Sequence, residues 1–445
     1  MSNMVSAALA REIAERLKRY APLLILIVGT ALRLSVAPYS SGSDIPQFAG
    51  FAGTFLRHGL CFYEYAGSSS FRTEGWPYSW PYPYGPVWVV LTSILLLIVG
   101  DGNLVKHFWR GGTYYVYVSI KWVTAVKTVL IAADVVLAYL LYRYVRRKYG
   151  RSWGTLSLTL YYLNPMTIYV TSIYGMFDQL ALLFLVAAML SFLSGKYVKV
   201  GLLTSLALLT KQTLLAPAVA LIACTRGKRA LTVLTALTAS ALALLPFLAA
   251  CPHTVERIMS ILLSTSRPGY TEPLVYSFNG FSSLATYLHS RQGMSLSWVM
   301  SYWYLPFIAL FLPLIYRAAR SSLGVDSAVM LSYAVFVATY WRVNAQYMLP
   351  LVGLTALALP RASRVGKALL LLLNGVVALW PVSFPISWWF HVHIEHPNTT
   401  IWRILDTFNL MIFDELYYVV YSLVLTVLLY VTAIYFLVVK RDGVV

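Results

Sequence analysis

The stretch KWVTAVKTVLIAADVVLAYLLYRYVRRKYGR, residues 121–151, decides the fold, because an apolar segment runs directly into the densest basic cluster of the chain. Residues 121–142 are long enough to cross a bilayer, which takes about 20 apolar residues. Basic residues beside membrane spans stay on the cytoplasmic side. The sequence therefore predicts a span whose C-terminal end lies in the cytoplasm, together with the other basic clusters.

The composition extends this prediction to the whole chain of 445 residues. Hydrophobic residues make up 59% and charged residues 11%, and the mean hydropathy is +0.70. These values predict a multi-pass membrane protein with a single domain over residues 1–445. The net charge of +18 does not indicate nucleic-acid binding, because the basic residues form short clusters between apolar segments. Residues 1–20 form a basic amphipathic start with a cytoplasmic N-terminus, and residues 21–37 are predicted to be a retained first helix.

The apolar segments predict an all-α polytopic membrane protein with about 11 to 12 transmembrane helices. If residues 84–100 or residues 199–225 crossed the membrane once, basic clusters that follow them would lie on the outer side. Residues 84–100 are therefore predicted to lie along the outer surface, and residues 199–225 to form a short hairpin with Lys211 at its outer tip. The predicted outer loops include residues 38–120, which come first, residues 173–177, and residues 388–415, which come last. The Asp44 loop and the segment before Asp178 are therefore predicted to lie at the same membrane face.

The first outer loop contains the stretch SGSDIPQFAGFAGTFLRHG, residues 41–59. Phe48, Phe51 and Phe55 recur at helical spacing, so the stretch is predicted to be an amphipathic interfacial helix. Asp44 lies at the predicted start of this helix. It either caps the helix or supplies a carboxylate for chemistry, and the stretch alone leaves both interpretations open.

Residues 44–223 resemble the GT-C superfamily of polyprenyl-phosphate-sugar glycosyltransferases. The likeness is strongest to the mannosyltransferase that adds the first mannose to glycosylphosphatidylinositol. The matching pieces are SDIPQF (43–48), YPYGPVW (82–88), AADVVLAYLLYRYVRR (132–147), YYLNPMTIYVTSIYG (161–175) and the Lys211 hairpin, followed by the weaker SFNGF (277–281) and NAQYMLP (344–350). That mannosyltransferase carries an Asp-x-Asp motif in its loop. Asp44 matches the second aspartate, and Gly42 stands in place of the first.

The resemblance implies an inverting transfer of a sugar, with mannose expected, from dolichyl or another polyprenyl phosphate to a lipid-linked acceptor outside the cytoplasm. It implies Asp44 as the general base that takes the proton of the acceptor hydroxyl. No cofactor is required. A divalent cation held by Asp44 and Asp178 remains an alternative, because Ser172-x-x-Gly175-x-x-Asp178 resembles the second acidic loop of oligosaccharyltransferases.

Further residues are expected to bind the donor phosphate or the rest of the substrate, since charge on a departing phosphate needs fixed positive partners. The candidates are Lys211, Arg342, His58, Asp178, Asn279, Gln346, Tyr347, Tyr84 and Arg267. Ordinary roles remain open for several of them: Lys211 as a snorkelling ammonium, Arg342 as an interfacial anchor, His58 as a complement to the helix dipole and Asn279 as a turn residue. Lys127 and Asp134 are expected to neutralise each other within one span.

Some features leave alternatives open. Cys61 and Cys251 fall on the same predicted outer side, so a disulfide and two free thiols are both compatible with the sequence. His391, His393 and Glu395, with His396 beside them, form either a metal site or a solvated loop. The competing functions are a glycosyltransferase, a lipid or solute transporter or flippase, and a non-catalytic subunit of a glycan assembly complex.

Overall fold

The computed structural model describes residues 2–100, 102–270, 277–386, 394 and 398–438, with side chains from residue 19 onward. The described α-helices are α1 (Ser2–Val36), α2 (Asp44–His58), α3 (Phe71–Glu74), α4 (Pro86–Val99), α5 (Ile120–Tyr149), α6 (Arg151–Tyr162), α7 (Pro165–Ile168), α8 (Asp178–Leu193), α9 (Tyr197–Thr210), α10 (Leu215–Cys224), α11 (Arg229–Ala250), α12 (Thr254–Ser266), α13 (Gly280–Gln292), α14 (Ser297–Ser301), α15 (Tyr304–Ala319), α16 (Val325–Thr339), α17 (Met348–Ala358), α18 (Arg364–Ser383), α19 (Thr399–Thr407) and α20 (Glu415–Val438). A π-helical segment (Tyr169–Tyr174) follows α7.

The expected all-α polytopic membrane protein is confirmed. Among the described residues, six helical stretches are long and apolar enough to cross a bilayer: Arg19–Tyr39, Ile120–Tyr149, Arg229–Ala250, Ser297–Ala319, Arg364–Ser383 and Glu415–Val438. Five shorter apolar helices accompany them, at Pro86–Val99, Asp178–Leu193, Tyr197–Thr210, Gln212–Cys224 and Val325–Thr339. The total number of crossings stays a prediction.

The basic clusters gather at one end of the helix bundle. Their contacts join Arg151 to the carbonyl of Arg19, Arg147 to Ser194, Lys148 to Asp326, Arg229 to the carbonyl of Ala319 and Arg317 to the carbonyl of Leu437. These contacts connect the C-terminal ends of α5, α8, α15 and α20 with the start of the first apolar stretch. The charge pattern thus predicted correctly which turns share an end. That this end faces the cytoplasm stays a prediction.

The predicted hairpin at residues 199–225 is confirmed. The backbone breaks at Lys211, which has an extended conformation with φ −154° and ψ 118° between α9 and α10. Lys211 contacts Asp178 at the start of α8, whereas Ser194, shortly before α9, lies beside Arg147 at the basic end. Helix α10 returns to that end, where Arg229 follows it. The two halves therefore run in opposite directions, and the tip lies at the end opposite the basic clusters.

The segment 84–100 forms α4, in which Trp88 is buried and Leu97 and Ile98 are 69% and 75% exposed. Its position along the membrane surface stays a prediction. A β-hairpin, not expected from the sequence, follows it: β1 (Val105–Arg110) pairs antiparallel with β2 (Thr113–Val118). Val118 also bridges Ile394, so β2 contacts one residue of the segment predicted to be the last outer loop. The alternating apolar and aromatic residues around the Gly111–Gly112 turn were the available signal.

The expected pairing of Lys127 with Asp134 is wrong. Asp134 instead accepts a hydrogen bond from Arg33 Nε on α1 at 2.7 Å, and both side chains are fully buried. Tyr161 also donates to this carboxylate. Spacing along α5 placed Lys127 and Asp134 on one face, but the neighbours of that face differ along its length, so each side chain meets a different partner.

Candidate functional site

Two segments that are distant in sequence meet at the end of the bundle opposite the basic clusters. They are the turn that leads from α1 to Asp44 and the π-helical segment with its following glycine. Lys127 on α5 lies between them, and its ammonium group donates to five oxygens: the carbonyls of Ala37 (3.1 Å), Ser40 (2.5 Å), Ser172 (2.6 Å) and Ile173 (2.9 Å), and the hydroxyl of Ser40 (2.8 Å). The prediction that these two segments share one end of the protein is confirmed by these contacts.

Asp44 is the first residue of α2, and its carboxylate faces the π-helical segment. Ser43 occupies the N-cap position, and no side chain caps the helix, so the capping interpretation of Asp44 is wrong. The Tyr174 hydroxyl donates to Asp44 Oδ2 at 2.6 Å. Burial raises the pKa of Asp44 above the ordinary value of an aspartate, while the hydrogen bond from Tyr174 and the positive charge of Lys211 oppose this shift.

Gly42 stands where the resembled mannosyltransferase carries its first aspartate. The Gly42 N–H donates to the Tyr174 carbonyl at 2.8 Å. A Cβ at residue 42 would lie 2.7 Å from the Tyr174 carbonyl oxygen and 2.8 Å from its ring. No side chain fits there without displacing Tyr174, so this loop has no room for a second carboxylate at position 42.

We expect Gly42→Ala to lower the free energy of unfolding by about 1–3 kcal/mol, the typical cost of overpacking. The measurement is thermal unfolding of the purified protein in detergent. Gly102→Ala is the matched control, because a Cβ there would meet no atom within 4 Å. Equal unfolding midpoints for Gly42→Ala and the wild type would contradict the close packing described above.

Lys211 and Asp178 form a buried ion pair next to the two segments. Lys211 Nζ donates to Asp178 Oδ2 at 2.6 Å, and neither side chain is more than 2% exposed. The ammonium lies 5.0 Å from the centre of the Phe177 ring, 5.6 Å from that of Tyr84 and 5.7 Å from that of Tyr347. Asp178 therefore balances the charge of Lys211, which lies behind the aromatic wall of the site.

A cavity of about 550 Å³ opens beside Asp44. Its polar wall includes Asp44, Tyr84, Arg342, Gln346 and Tyr347, which are five of the residues predicted from the sequence. Arg342 is exposed in this wall. Among the salt bridges of the described residues, none involves Arg342. The cavity thus brings a carboxylate and an unpaired guanidinium into one space.

The other wall of the cavity is apolar. Met259, Leu262 and Leu263 of α12 line it, together with Trp380 and Phe384 from the end of α18. Helix α12 was not expected from the sequence, although its apolar residues recur every three to four positions, which is the signal of an amphipathic helix. Met259 and Leu263 remain 51% and 65% exposed, so this wall presents apolar surface at the cavity.

Besides Lys211 and Asp178, three predicted residues do not line the cavity. His58 contacts Glu74 and stacks on Tyr65, so it does not orient Asp44. Asn279 caps α13 by accepting from the Ser282 N–H and donates to the carbonyl of Ala338, which supports its turn role. Arg267 is exposed at the end of α12.

The residues His391, His393 and His396 lie outside the described part of the chain, and so does Glu395. Their metal-binding interpretation stays a prediction.

The divalent cation expected as an alternative at Asp44 and Asp178 stays a prediction. Within the described residues, no group of three or more histidine, cysteine, aspartate or glutamate side chains could hold a metal ion. Asp178 already binds the ammonium of Lys211, and Asp44 accepts from Tyr174. Hard divalent cations prefer several oxygen ligands with net negative charge, so we derive no chemical step through a metal.

No protein-family model matches this chain, and no curated protein matches it. Among solved structures, the chain is similar to ArnT from Cupriavidus metallidurans bound to undecaprenyl phosphate, with 14% identity and a TM-score of 0.47. The apo state of the same protein gives 14% identity and a TM-score of 0.46. Each comparison covers 93% of this chain and 76% of the ArnT chain.

Proposed function

We propose that this protein is a membrane glycosyltransferase of the GT-C superfamily that takes a sugar from a polyprenyl phosphate. The observation that carries the proposal is one cavity that contains Asp44, the apolar face of α12 and Arg342, which forms no salt bridge with any described residue. A polyprenyl-phosphate sugar has a polar sugar, an anionic phosphate and an apolar chain. The polar wall of the cavity suits the sugar, Arg342 suits the phosphate, and the apolar face of α12 suits the chain.

In the proposed reaction, Asp44 takes the proton of the acceptor hydroxyl while that oxygen attacks the anomeric carbon of the donor sugar. The bond from the anomeric carbon to the phosphate oxygen breaks, and its electron pair leaves with polyprenyl phosphate. This single displacement inverts the anomeric centre, and one carboxylate suffices for it. Arg342 stabilises the negative charge that develops on the phosphate.

This assignment changes the role first expected for Lys211. Its ammonium pairs with Asp178 and lies behind Tyr84 and Tyr347, so it does not line the cavity. Arg342 is the cation that faces the proposed phosphate position. Lys211 contributes through its positive charge, which favours the ionised form of Asp44.

The finer parts of the proposal rest on different observations. Mannose, a dolichyl carrier and a lipid-linked acceptor are proposed from the sequence resemblance alone. The extracytoplasmic position of the cavity is supported by the disulfide between Cys61 and Cys251, since structural disulfides persist in oxidising compartments. This bridge ties the segment after α2 to the residues that precede α12.

We expect Tyr174→Phe to move the acid limb of the pH–rate profile to higher pH. Transfer requires the ionised Asp44, so the rate falls as the pH drops through the pKa of this group. The Tyr174 hydroxyl lowers that pKa by donating to the carboxylate, and its loss raises the pKa. The measurement is the transfer rate from pH 4 to pH 9, with the exposed Tyr316→Phe as control. An unchanged acid limb would remove Asp44 as the titrating base.

The proposed activity is tested by mixing the purified protein, in lipid nanodiscs, with a radiolabelled polyprenyl-phosphate mannose and a glycolipid acceptor. We expect labelled glycolipid and free polyprenyl phosphate to appear together. If the labelled donor crosses the membrane of a proteoliposome unchanged, the protein is a transporter. If neither transfer nor transport occurs with mannose or other polyprenyl-phosphate sugars, the non-catalytic alternative replaces the proposal.

A further inference from the structure

We infer that Lys127 is a positioning residue for Asp44, and that it acts through the π-helical segment and Tyr174. The catalytic meaning of this inference rests on the proposed function, but the arrangement of the three residues does not. No role of this kind was expected from the sequence, which paired Lys127 with Asp134.

Lys127 is a fully buried ammonium group whose partners among the described residues are all neutral. Its Nζ shares its three N–H bonds among five backbone and hydroxyl oxygens. The carboxylate on the same helix, Asp134, is bound to Arg33 instead. A lysine within an apolar span is costly and is by default functional. The partners of Lys127 indicate what that function is, because they all belong to the two segments that form the Asp44 site.

The π-helical segment explains how Lys127 reaches Asp44. Single π-helical turns are frequent at functional sites, and this one directs the carbonyls of Ser172 and Ile173 toward Lys127. Tyr174 is the next residue, and its hydroxyl donates to Asp44. The turn ends at Gly175, whose φ of +91° and close approach to Ile45 exclude a side chain. The ammonium therefore fixes the backbone immediately before the tyrosine.

The same ammonium also fixes the other side of this contact. It binds the carbonyls of Ala37 and Ser40, shortly before Asp44. The Ser40 hydroxyl in turn donates to the Ser172 carbonyl at 3.0 Å. Lys127 thus holds both the donor and the acceptor of the Tyr174–Asp44 hydrogen bond at a fixed separation.

Other groups around Asp44 also influence its ionisation. They are Lys211 at the hairpin tip, Tyr84 before α4 and Asp178 on α8, and Arg342 lines the same cavity. Lys127 is not hydrogen-bonded to any of these groups. Its loss is therefore expected to change the ionisation of Asp44 through the Tyr174 hydrogen bond.

The test measures the protonation of Asp44 without using the proposed reaction. Dicyclohexylcarbodiimide modifies protonated carboxyl groups, and the labelled Asp44 peptide is quantified by mass spectrometry as a function of pH. We expect Tyr174→Phe and Lys127→Met each to raise the labelling midpoint by about one pH unit, the scale of one hydrogen bond to a charged group. The double variant is expected to shift no further than either single variant, because both changes remove the same interaction.

Lys121→Met is the matched control, since Lys121 lies on the same helix and is exposed; its midpoint is expected to equal that of the wild type. If Lys127→Met does not fold, Ser40→Ala replaces it and is expected to give a smaller shift in the same direction. A folded Lys127→Met, or failing that Ser40→Ala, with the wild-type midpoint would overturn the inference. Because labelling needs no sugar donor, a protein that shows these shifts but transfers no sugar refutes the proposed function alone.

Discussion

Asp44→Asn is expected to lower the rate of sugar transfer by about 10²–10⁴-fold, the range attributed to a positioned general base. Asparagine has nearly the same shape as aspartate and keeps an oxygen that accepts from Tyr174, so the fold and the cavity should persist. It cannot take up the proton of the acceptor hydroxyl. The measurement is the transfer rate at saturating donor, together with the unfolding temperature of each variant.

Glu256→Gln serves as the control for this substitution. Glu256 lies on α12, and its side chain is 85% exposed, so its loss changes the charge of the same region without touching the reacting groups. We expect wild-type rates for Glu256→Gln and nearly unchanged donor affinity for Asp44→Asn. Wild-type transfer by folded Asp44→Asn would mean that another group is the base.

The second large effect concerns stability. Asp134→Asn is expected to reduce the free energy of unfolding by about 3–5 kcal/mol, because it leaves the Arg33 guanidinium buried without its counter-charge. Both side chains of this pair are fully buried between α1 and α5. The double variant Arg33→Met/Asp134→Leu should recover most of the loss, since replacing a whole buried pair by apolar residues is often neutral.

The comparison for Asp134→Asn is Arg291→Gln, which removes an exposed ion pair. Arg291 and Glu415 are 60% and 50% exposed, and such pairs contribute about 0–1 kcal/mol. Thermal and denaturant unfolding in the same detergent would measure both variants. Equal losses for the buried and the exposed pair would show that Asp134 is not the counter-charge that Arg33 requires.

The sequence predicted those features of the fold that depend on local spacing or on charge. The phenylalanine spacing after Asp44 predicted α2, whose Phe48 and Phe51 are buried. The basic residues that flank 199–225 predicted a hairpin, because a single crossing would have placed them on the wrong side. The charge pattern also predicted that the Asp44 loop and the segment before Asp178 lie at the same end of the protein.

The partners of buried polar groups could not be predicted in the same way. Lys127 and Asp134 share a face of α5, but their partners come from segments up to 101 residues away in sequence. Which of them faces which neighbour depends on how α5 is rotated against α1 and the π-helical segment. For the same reason, the phosphate role was expected first for Lys211, whereas the geometry favours Arg342.

The proposed reaction requires one cavity that holds both the carboxylate of Asp44 and the phosphate of the donor lipid. The most direct measurement is an experimental structure of the protein in nanodiscs with polyprenyl phosphate bound. We predict the phosphate within hydrogen-bond reach of the Arg342 guanidinium, the isoprenoid chain along Met259 and Leu263, and Asp44 facing the same space. A phosphate bound elsewhere on the protein, or an Asp44 side chain turned away from the cavity, would contradict the account.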